Sequence, residues 1–155
     1  MQNVWVHKDS AREPSKLGMP IVDPANWTPD EILANDEWIY KLSLNEITEV
    51  KAAINTVIKS QIKISGINKT NFPLPTLGAK LIEIQNELMD GRGVVLIQGL
   101  PIIELSGTQF AIAFWGISAY LGKVLSQNRQ GHLLGHVKDL GGDYGKTRGY
   151  LTNAH

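Results

Sequence analysis

Two histidines four positions apart, His132 and His136, are the first candidates for chemistry in this chain. On a helix, this spacing aligns two imidazoles on one face, as a zinc site requires. Gly131 and Gly135 disfavour a helix here, and on a strand the same spacing also places both rings on one face. A metal site needs a third ligand, and no cysteine or evident carboxylate completes one. A metal site and a histidine pair facing solvent or a neighbouring loop both stay open.

A second metal-like element lies near the N-terminus, where His7 and Asp9 form a His-x-Asp pair. Such a pair supplies two ligands of a two-histidine, one-carboxylate iron site. It lies on a segment punctuated by proline, where ligands are difficult to hold rigidly, so a solvated arm is the simpler interpretation. An independent metal-binding domain using His7, His132 and His136 is the least favoured functional hypothesis.

The segment "LGGDYGKT" resembles a phosphate-binding loop but lacks its pattern. The motif requires a glycine five positions before Gly145, and Leu140 stands there. No helical pattern follows Thr147 to direct a helix N-terminus at a phosphate. We interpret the segment as a turn and exclude nucleotide binding.

Aromatic residues cluster between positions 110 and 115, as Phe110, Phe114 and Trp115. Such a cluster could line a cofactor site, but its helical spacing favours packing in the core. The chain also lacks a Gly-x-Ser-x-Gly nucleophile motif. The residues alone therefore define no complete catalytic set.

Composition excludes several classes of partner. The 155 residues include 15 basic and 15 acidic side chains, so the formal net charge is zero and no basic stripe indicates nucleic-acid binding. No cysteine is present, which excludes disulfides and thiolate zinc sites. No segment has the run of apolar residues that a membrane helix or a signal peptide needs. We therefore expect a cytoplasmic protein with neither a nucleic-acid nor a membrane partner.

Local signals predict an extended arm over residues 1–26 and four helices after it. Three helix starts carry a capping box. In this motif the side chain of the first residue accepts a hydrogen bond from the backbone N–H three positions later, and the side chain at that later position accepts one from the backbone N–H of the first residue. The pairs are Thr28 with Glu31, Ser43 with Glu46, and Ser106 with Gln109. A further helix follows Pro75, with Gly91 as its stop, and Gly122 ends the last helix.

Apolar periodicity assigns a buried face to each longer helix. On the last helix we predict a buried stripe of Phe110, Phe114, Ile117 and Leu121. A short strand is predicted within residues 37–44 and a buried strand from Val94 to Ile97. The pattern predicts an α+β fold, with helices first and an unfinished sheet late in the chain.

The order of these segments resembles one enzyme family. "MDGRGVVLIQGLPI", "FAIAFWGISAYLGKVLSQNRQGHLLGHVKDLG" and "RGYLTNAH" are together similar to the TauD/TfdA, or taurine dioxygenase and clavaminate synthase-like, oxygenases. The resemblance is good over residues 88–155 and looser over residues 27–87. It implies a double-stranded β-helix, or jelly roll, of which residues 27–155 form the N-terminal part.

The resemblance also implies Fe(II) and 2-oxoglutarate as cofactors of the complete family enzyme. In the family, a His-x-Asp or His-x-Glu and a distant histidine hold the iron, and they follow a segment like "RGYLTNA". By that placement His155 lies just before the first ligand and is not assigned as one. We therefore expect the chain to stop before the iron-binding motif and to bind neither cofactor.

The substrate side is the part of the site that the resemblance places within the chain. It makes Gln127 and Asn128 candidates for contacts with a small-molecule substrate, and Tyr150 and Asn153 weaker ones. Ordinary hydrogen bonding at strand edges or turns is the alternative for all four residues.

Two functional hypotheses follow. The first is the N-terminal part of an Fe(II)/2-oxoglutarate-dependent dioxygenase that oxidises a small organic substrate and is inactive as this chain alone. The second is a non-catalytic binding or interaction module derived from the same fold. In the second case the apolar edge of the unfinished sheet would have to be covered by a partner or by self-association.

Overall fold

The computed structural model describes residues 12–126 and 131–135, which contain four α-helices and two β-strands. The helices are α1 (Pro29–Leu33), α2 (Leu44–Lys59), α3 (Leu77–Asp90) and α4 (Gly107–Leu121), and the strands are β1 (Ile39–Lys41) and β2 (Leu96–Gln98). Short 3-10 turns occur at Ile64–Gly66 and Ile102–Glu104. The described residues are thus of the α+β class, with four helices and one two-stranded sheet. The jelly roll stays a prediction.

All three predicted capping boxes are confirmed. In each box the side chain of the first residue accepts a backbone N–H, and the residue three positions later bonds back to the first. Gly91 and Gly122 are the C-terminal caps of α3 and α4, as predicted. Residues close in sequence therefore fix where most of these helices begin and end.

The two strands form a parallel pair in which Tyr40 lies opposite Ile97. The Leu96 N–H donates to the Trp38 carbonyl at 2.8 Å, and the Leu42 N–H donates to the Gln98 carbonyl at 2.9 Å. The prediction of a buried strand from Val94 to Ile97 is wrong in extent and burial. β2 is short, and both Leu96 and Gln98 are exposed, because only part of its surface is covered by the described residues.

The core lies where α4 packs against α2 and α3. α2 contributes Val50, Ile54 and Val57, and α3 contributes Leu77 and Leu81, all nearly inaccessible to solvent. Each set recurs at helical spacing and gives its helix one apolar face, as the sequence predicted. Ile58, which follows Ile54 at helical spacing on α2, is exposed.

The loop before α3 is held against α4 by close packing and hydrogen bonds. The ring of Phe72 is fully buried against Gly116, where a side chain would overlap the ring. The Tyr120 hydroxyl donates to the Phe72 carbonyl at 3.0 Å and accepts the Leu74 N–H at 3.1 Å. The Trp115 indole N–H donates to the Ile67 carbonyl at 3.3 Å. These contacts determine how closely α4 packs against the loop and which face of the helix points inward.

The N-terminus of α3 is capped by a side chain from another helix. Glu49 of α2 accepts the Thr76 N–H at 3.0 Å and the Leu77 N–H at 3.1 Å, whereas the Thr76 side chain makes no cap. Burial favours the protonated form of Glu49, but these hydrogen bonds outweigh it and hold the pKa of the carboxyl below its usual range. The cap therefore ties α2 to α3 as well as satisfying backbone donors.

The described part of the N-terminal arm, residues 12–26, is anchored at the C-terminal end of α3. The Arg12 guanidinium donates to the carbonyls of Met89 and Gly91, at 2.8 and 2.5 Å, and pairs with Asp23. A cation is favourable there because helix carbonyls make the C-terminal end partially negative. The Trp27 indole N–H adds a hydrogen bond to the Arg92 carbonyl at 2.9 Å.

Replacing Gly116 with alanine tests the packing of α4 on the loop. Alanine is the better helix former, but its Cβ would overlap the immobile Phe72 ring. We expect the free energy of unfolding to fall by about 1–3 kcal/mol, the usual effect of overpacking. Urea unfolding followed by circular dichroism measures the change.

Gly107→Ala is the matched control, since a Cβ there has no neighbour within 4 Å. The same chemical change in the same helix should be neutral or should raise stability by up to about 1 kcal/mol. Equal effects of the two substitutions would contradict the packing account.

Candidate functional site

A groove lies between β2 and α4 and has a volume of about 490 Å³. This size falls within the range of small-molecule pockets, about 300–1,000 Å³. Its lining is mostly apolar and contains no ionisable side chain. The lining residues are Ile97, Gln98, Gly99, Leu100, Ile102, Phe110, Phe114, Ile117, Ser118 and Leu121. We call this surface the α4 groove.

The aromatic wall of the α4 groove corrects the predicted helix stripe. Phe110 and Phe114 were expected in the core, but their side chains are 39% and 53% exposed. The buried face of α4 carries Ile117, as predicted, together with Ala113, Trp115 and Gly116. The reason is that α4 is apolar on nearly every side, so periodicity does not identify the side that packs inward. Trp115 alone of the three clustered aromatics is a core residue.

The backbone of β2 forms the opposite wall of the α4 groove and has one unpaired edge. Leu96 and Gln98 bond β1 through their backbone groups. Because successive backbone groups alternate in direction along a strand, the N–H and C=O of Ile97 point away from β1. No strand in the described part of the chain pairs with that edge. An apolar groove thus lies beside a strand edge with which no described strand pairs.

The chemistry available in the α4 groove is binding rather than catalysis. Gln98 and Ser118 supply its polar side chains, and neither is accompanied by an acid or base in the lining. Across residues 12–126 and 131–135, no three His, Cys, Asp or Glu side chains are grouped as a metal site requires. The described residues therefore do not fit the iron site that the family resemblance implies.

The described structure does not test the predicted substrate contacts. Gln127, Asn128, Tyr150 and Asn153 all lie outside the described residues. The same is true of other residues considered for metal binding, which are His7, Asp9, His136 and His155. His132 is described and exposed. The predicted substrate contacts and the histidine pair thus remain predictions.

One buried carboxylate, Glu46, lies apart from the α4 groove at the start of α2. Its Oε2 accepts the Ser43 N–H and hydroxyl, each at 2.7 Å, and the Tyr40 hydroxyl donates to Oε1. Burial favours the protonated carboxyl, but these hydrogen bonds and the charge of Lys80 outweigh it, so the pKa of Glu46 lies below its usual range.

Tyr40 completes this cluster as a neutral hydrogen-bond donor. Burial, followed by its hydrogen bond to Glu46 and the nearby negative charge, raises the pKa of Tyr40 to about 12. The Lys80 ammonium lies 5.4 Å from the centre of the Tyr40 ring, within the range of a cation–π contact. Since the groups satisfy one another, the cluster is structural and leaves no base free for a substrate.

None of the helices in the described residues combines the length and the apolar character needed to cross a membrane.

Two curated proteins align with most of the chain. A "Taurine hydroxylase-like protein SAT17" from Stachybotrys chartarum is 25% identical over 125 residues, covering 80% of this chain and 32% of that protein. An "FR-33289 synthase" from Streptomyces rubellomurinus is 22% identical over 144 residues, covering 88% of this chain and 41% of that protein. The similarity to TauD-like oxygenases is distant. The chain spans about a third to two fifths of the length of these relatives. No protein-family profile matches it.

The Glu46 cluster predicts how stability depends on pH. Because folding lowers the pKa of Glu46 from its ordinary 4.5, its stabilising contribution is complete above that value and is lost as pH falls through the folded-state value. We expect Glu46→Gln to reduce the loss of unfolding free energy between about pH 5 and pH 3, measured by urea unfolding at each pH. The slope should not vanish, because folding also lowers the pKa values of Glu31, Glu49 and Asp23.

Glu83→Gln provides the control for this substitution. Glu83 is an exposed carboxylate that pairs with Lys80 at 2.6 Å on α3. An exposed pair of this kind contributes little, so the pH profile should stay close to that of the parent chain. A Glu46→Gln profile that also follows the parent would contradict the proposed contribution of the cap.

Proposed function

We propose that this chain supplies the N-terminal part of a TauD-like, Fe(II)- and 2-oxoglutarate-dependent oxygenase domain acting on a small organic substrate. The observation that carries the proposal is the alignment of at least four fifths of the chain with a taurine hydroxylase-like protein. A cytoplasmic location, consistent with a chain that has no cysteine, forms part of the proposal.

The described fold supports this proposal because the described residues leave part of the sheet and of α4 uncovered. One edge of β2 is paired with no strand among the described residues, and the adjoining α4 groove exposes Phe110 and Phe114. In a complete jelly-roll domain, further strands would continue the sheet from β2 and cover this apolar surface. The described residues would then form one outer layer, with α4 as the support beneath the sheet.

The catalytic centre in this proposal lies outside the described residues. No described cluster provides the two histidines and one carboxylate of a facial iron site. Within the chain, Gln127, Asn128, Tyr150 and Asn153 are the proposed contacts to the substrate. The 155 residues alone are therefore proposed to bind neither cofactor productively and to be inactive.

The isolated chain tests the inactivity directly. The purified chain is incubated with Fe(II), ascorbate and labelled 2-oxoglutarate. The amount of succinate formed should not exceed that formed in the same mixture without protein. The His132→Ala variant, at a described and exposed histidine, is the control and should give the same background. Succinate formation above background by the parent chain would contradict the proposal, whether or not the variant retains it.

A chimera tests whether the chain is the matching part of an oxygenase. The 125 aligned residues of the taurine hydroxylase-like relative would be replaced by the corresponding residues of this chain. We expect a cooperatively folding chimera that shows iron-dependent binding of 2-oxoglutarate. Phe114→Asp within it should abolish that binding by charging the covered groove, whereas Ile82→Asp, on an exposed part of α3, should not. Equal effects of the two variants would contradict the proposed packing.

A second candidate function is a non-catalytic interaction module. It is favoured by the uncharged α4 groove beside an unpaired strand edge, a combination suited to adding a strand from another polypeptide. Self-association through this edge belongs to this candidate. Its experimental signature is binding of the chain to another polypeptide or to a second copy of itself in the absence of iron and 2-oxoglutarate.

A further inference from the structure

We propose that the N-terminal arm is a releasable clamp on the turn between α3 and β2, residues 91–95, and that Arg12 closes it. When the clamp is closed, the arm fixes where β2 begins. When it opens, the turn and β2 loosen, while the packing of α4 against α2 and α3 persists. This inference concerns the conformation of the described residues and is independent of oxygenase activity.

The side chain of Arg12 joins the arm both to α3 and to itself. Its Nε donates to the Met89 carbonyl at 2.8 Å, and its Nη2 donates to the Gly91 carbonyl at 2.5 Å. Its Nη1 pairs with Asp23, which closes the arm into a loop at the point where the arm meets the end of α3. Because one planar guanidinium makes all of these contacts, its removal would break them together.

Further contacts hold the second half of the arm against the same turn. The Ala25 N–H donates to Asp23 at 2.7 Å, and a Cβ added at Gly93 would lie 3.7 Å from the Ala25 Cβ. Directly after the arm, the Trp27 indole N–H donates to the Arg92 carbonyl at 2.9 Å. The arm and Trp27 therefore contact the turn at successive positions.

The turn in turn positions the start of both strands. The Gly93 N–H donates to the Glu87 carbonyl at 3.1 Å, which folds the turn back on α3. The Arg92 side chain pairs with Glu87 at 3.1 Å and with Glu37, just before β1, at 2.9 Å. β2 begins directly after the turn, and the Leu96 N–H donates to the backbone just before β1 at 2.8 Å. A displaced turn would therefore disturb the pairing of β1 with β2.

The arm can detach from the core because its contacts are mostly polar and lie near the surface. Every residue from 13 to 22 is exposed, and the buried core of the described residues includes none from the arm. Segments with few buried apolar contacts open at a lower free energy than the core. The Arg12 and Asp23 side chains are 23% and 21% exposed, so dissolved ions weaken their attraction. The clamp should therefore open more readily as ionic strength rises.

Amide hydrogen exchange of the parent chain, measured by NMR without iron or 2-oxoglutarate, tests whether the clamp opens on its own. The probes are the N–H groups of Gly93 and Leu96, and those of Ile54 and Ala113 in the core are the references. Local opening exposes little surface, so the protection of the two probes should hardly change with low concentrations of urea and should fall with added salt. The core amides should follow the urea dependence of global unfolding.

Arg12→Ala tests whether this side chain closes the clamp. We expect the protection factors of Gly93 and Leu96 to fall together by at least about tenfold, because one opening exposes both amides and hydrogen bonds to a charged group are lost. Lys16→Ala is the matched control, since it removes one positive charge from an exposed position in the same arm, and it should match the parent. Arg12→Lys keeps the charge without the planar fork, so its protection factors should be intermediate.

Three outcomes would overturn the proposal. The first is that Gly93 and Leu96 show the urea dependence of the core amides, so that the turn opens only when the whole chain unfolds. The others are unchanged protection in the Arg12→Ala chain and an equal loss in the Lys16→Ala chain. The first outcome is measured on the parent, so it decides the matter even where Arg12→Ala fails to fold. Because no cofactor is used, these results leave the oxygenase proposal unaffected.

Discussion

The contact between Phe72 and Gly116 is the constraint on which the rest of the fold depends. A buried ring can reach the α4 backbone only because position 116 has no side chain. This close approach brings Tyr120 and Trp115 within hydrogen-bonding distance of the loop. Hydrogen bonds therefore hold α4 to the loop on both sides of Gly116. With the inner face of α4 held in this way, its outer face must carry Phe110 and Phe114 toward β2. The α4 groove is therefore a consequence of how the opposite side of the helix packs.

The parts of the fold that the sequence predicts well are those set by neighbours along the chain. A capping box joins residues three positions apart, so Ser43 with Glu46 could be recognised without knowledge of the tertiary structure. The cap on α3 could not, because Glu49 reaches Thr76 from a separate helix. The buried face of α4 failed for a related reason: an all-apolar helix has no polar side to indicate which face meets solvent.

The α4 groove went unrecognised in the sequence, although one signal for it was present. Fifteen consecutive residues of α4 contain no charge, which is unusual for a helix with one side in water. Such a helix is either enclosed or covers a surface that some other structure completes. The residues proposed from the family resemblance, such as Gln127 and Tyr150, lie outside the described residues, so geometry adds nothing to them.

The two candidate functions share one physical cause, since the described residues leave one strand edge and one uncharged helix face to be covered. A longer polypeptide can provide that cover with its own strands, as the greater length of the relatives allows. Another polypeptide that adds a strand at the same edge could provide it as well. The substitution Phe114→Asp affects both forms of cover, whereas iron and 2-oxoglutarate are relevant to one alone. Cofactor dependence, rather than the groove itself, therefore separates an oxygenase component from an interaction module.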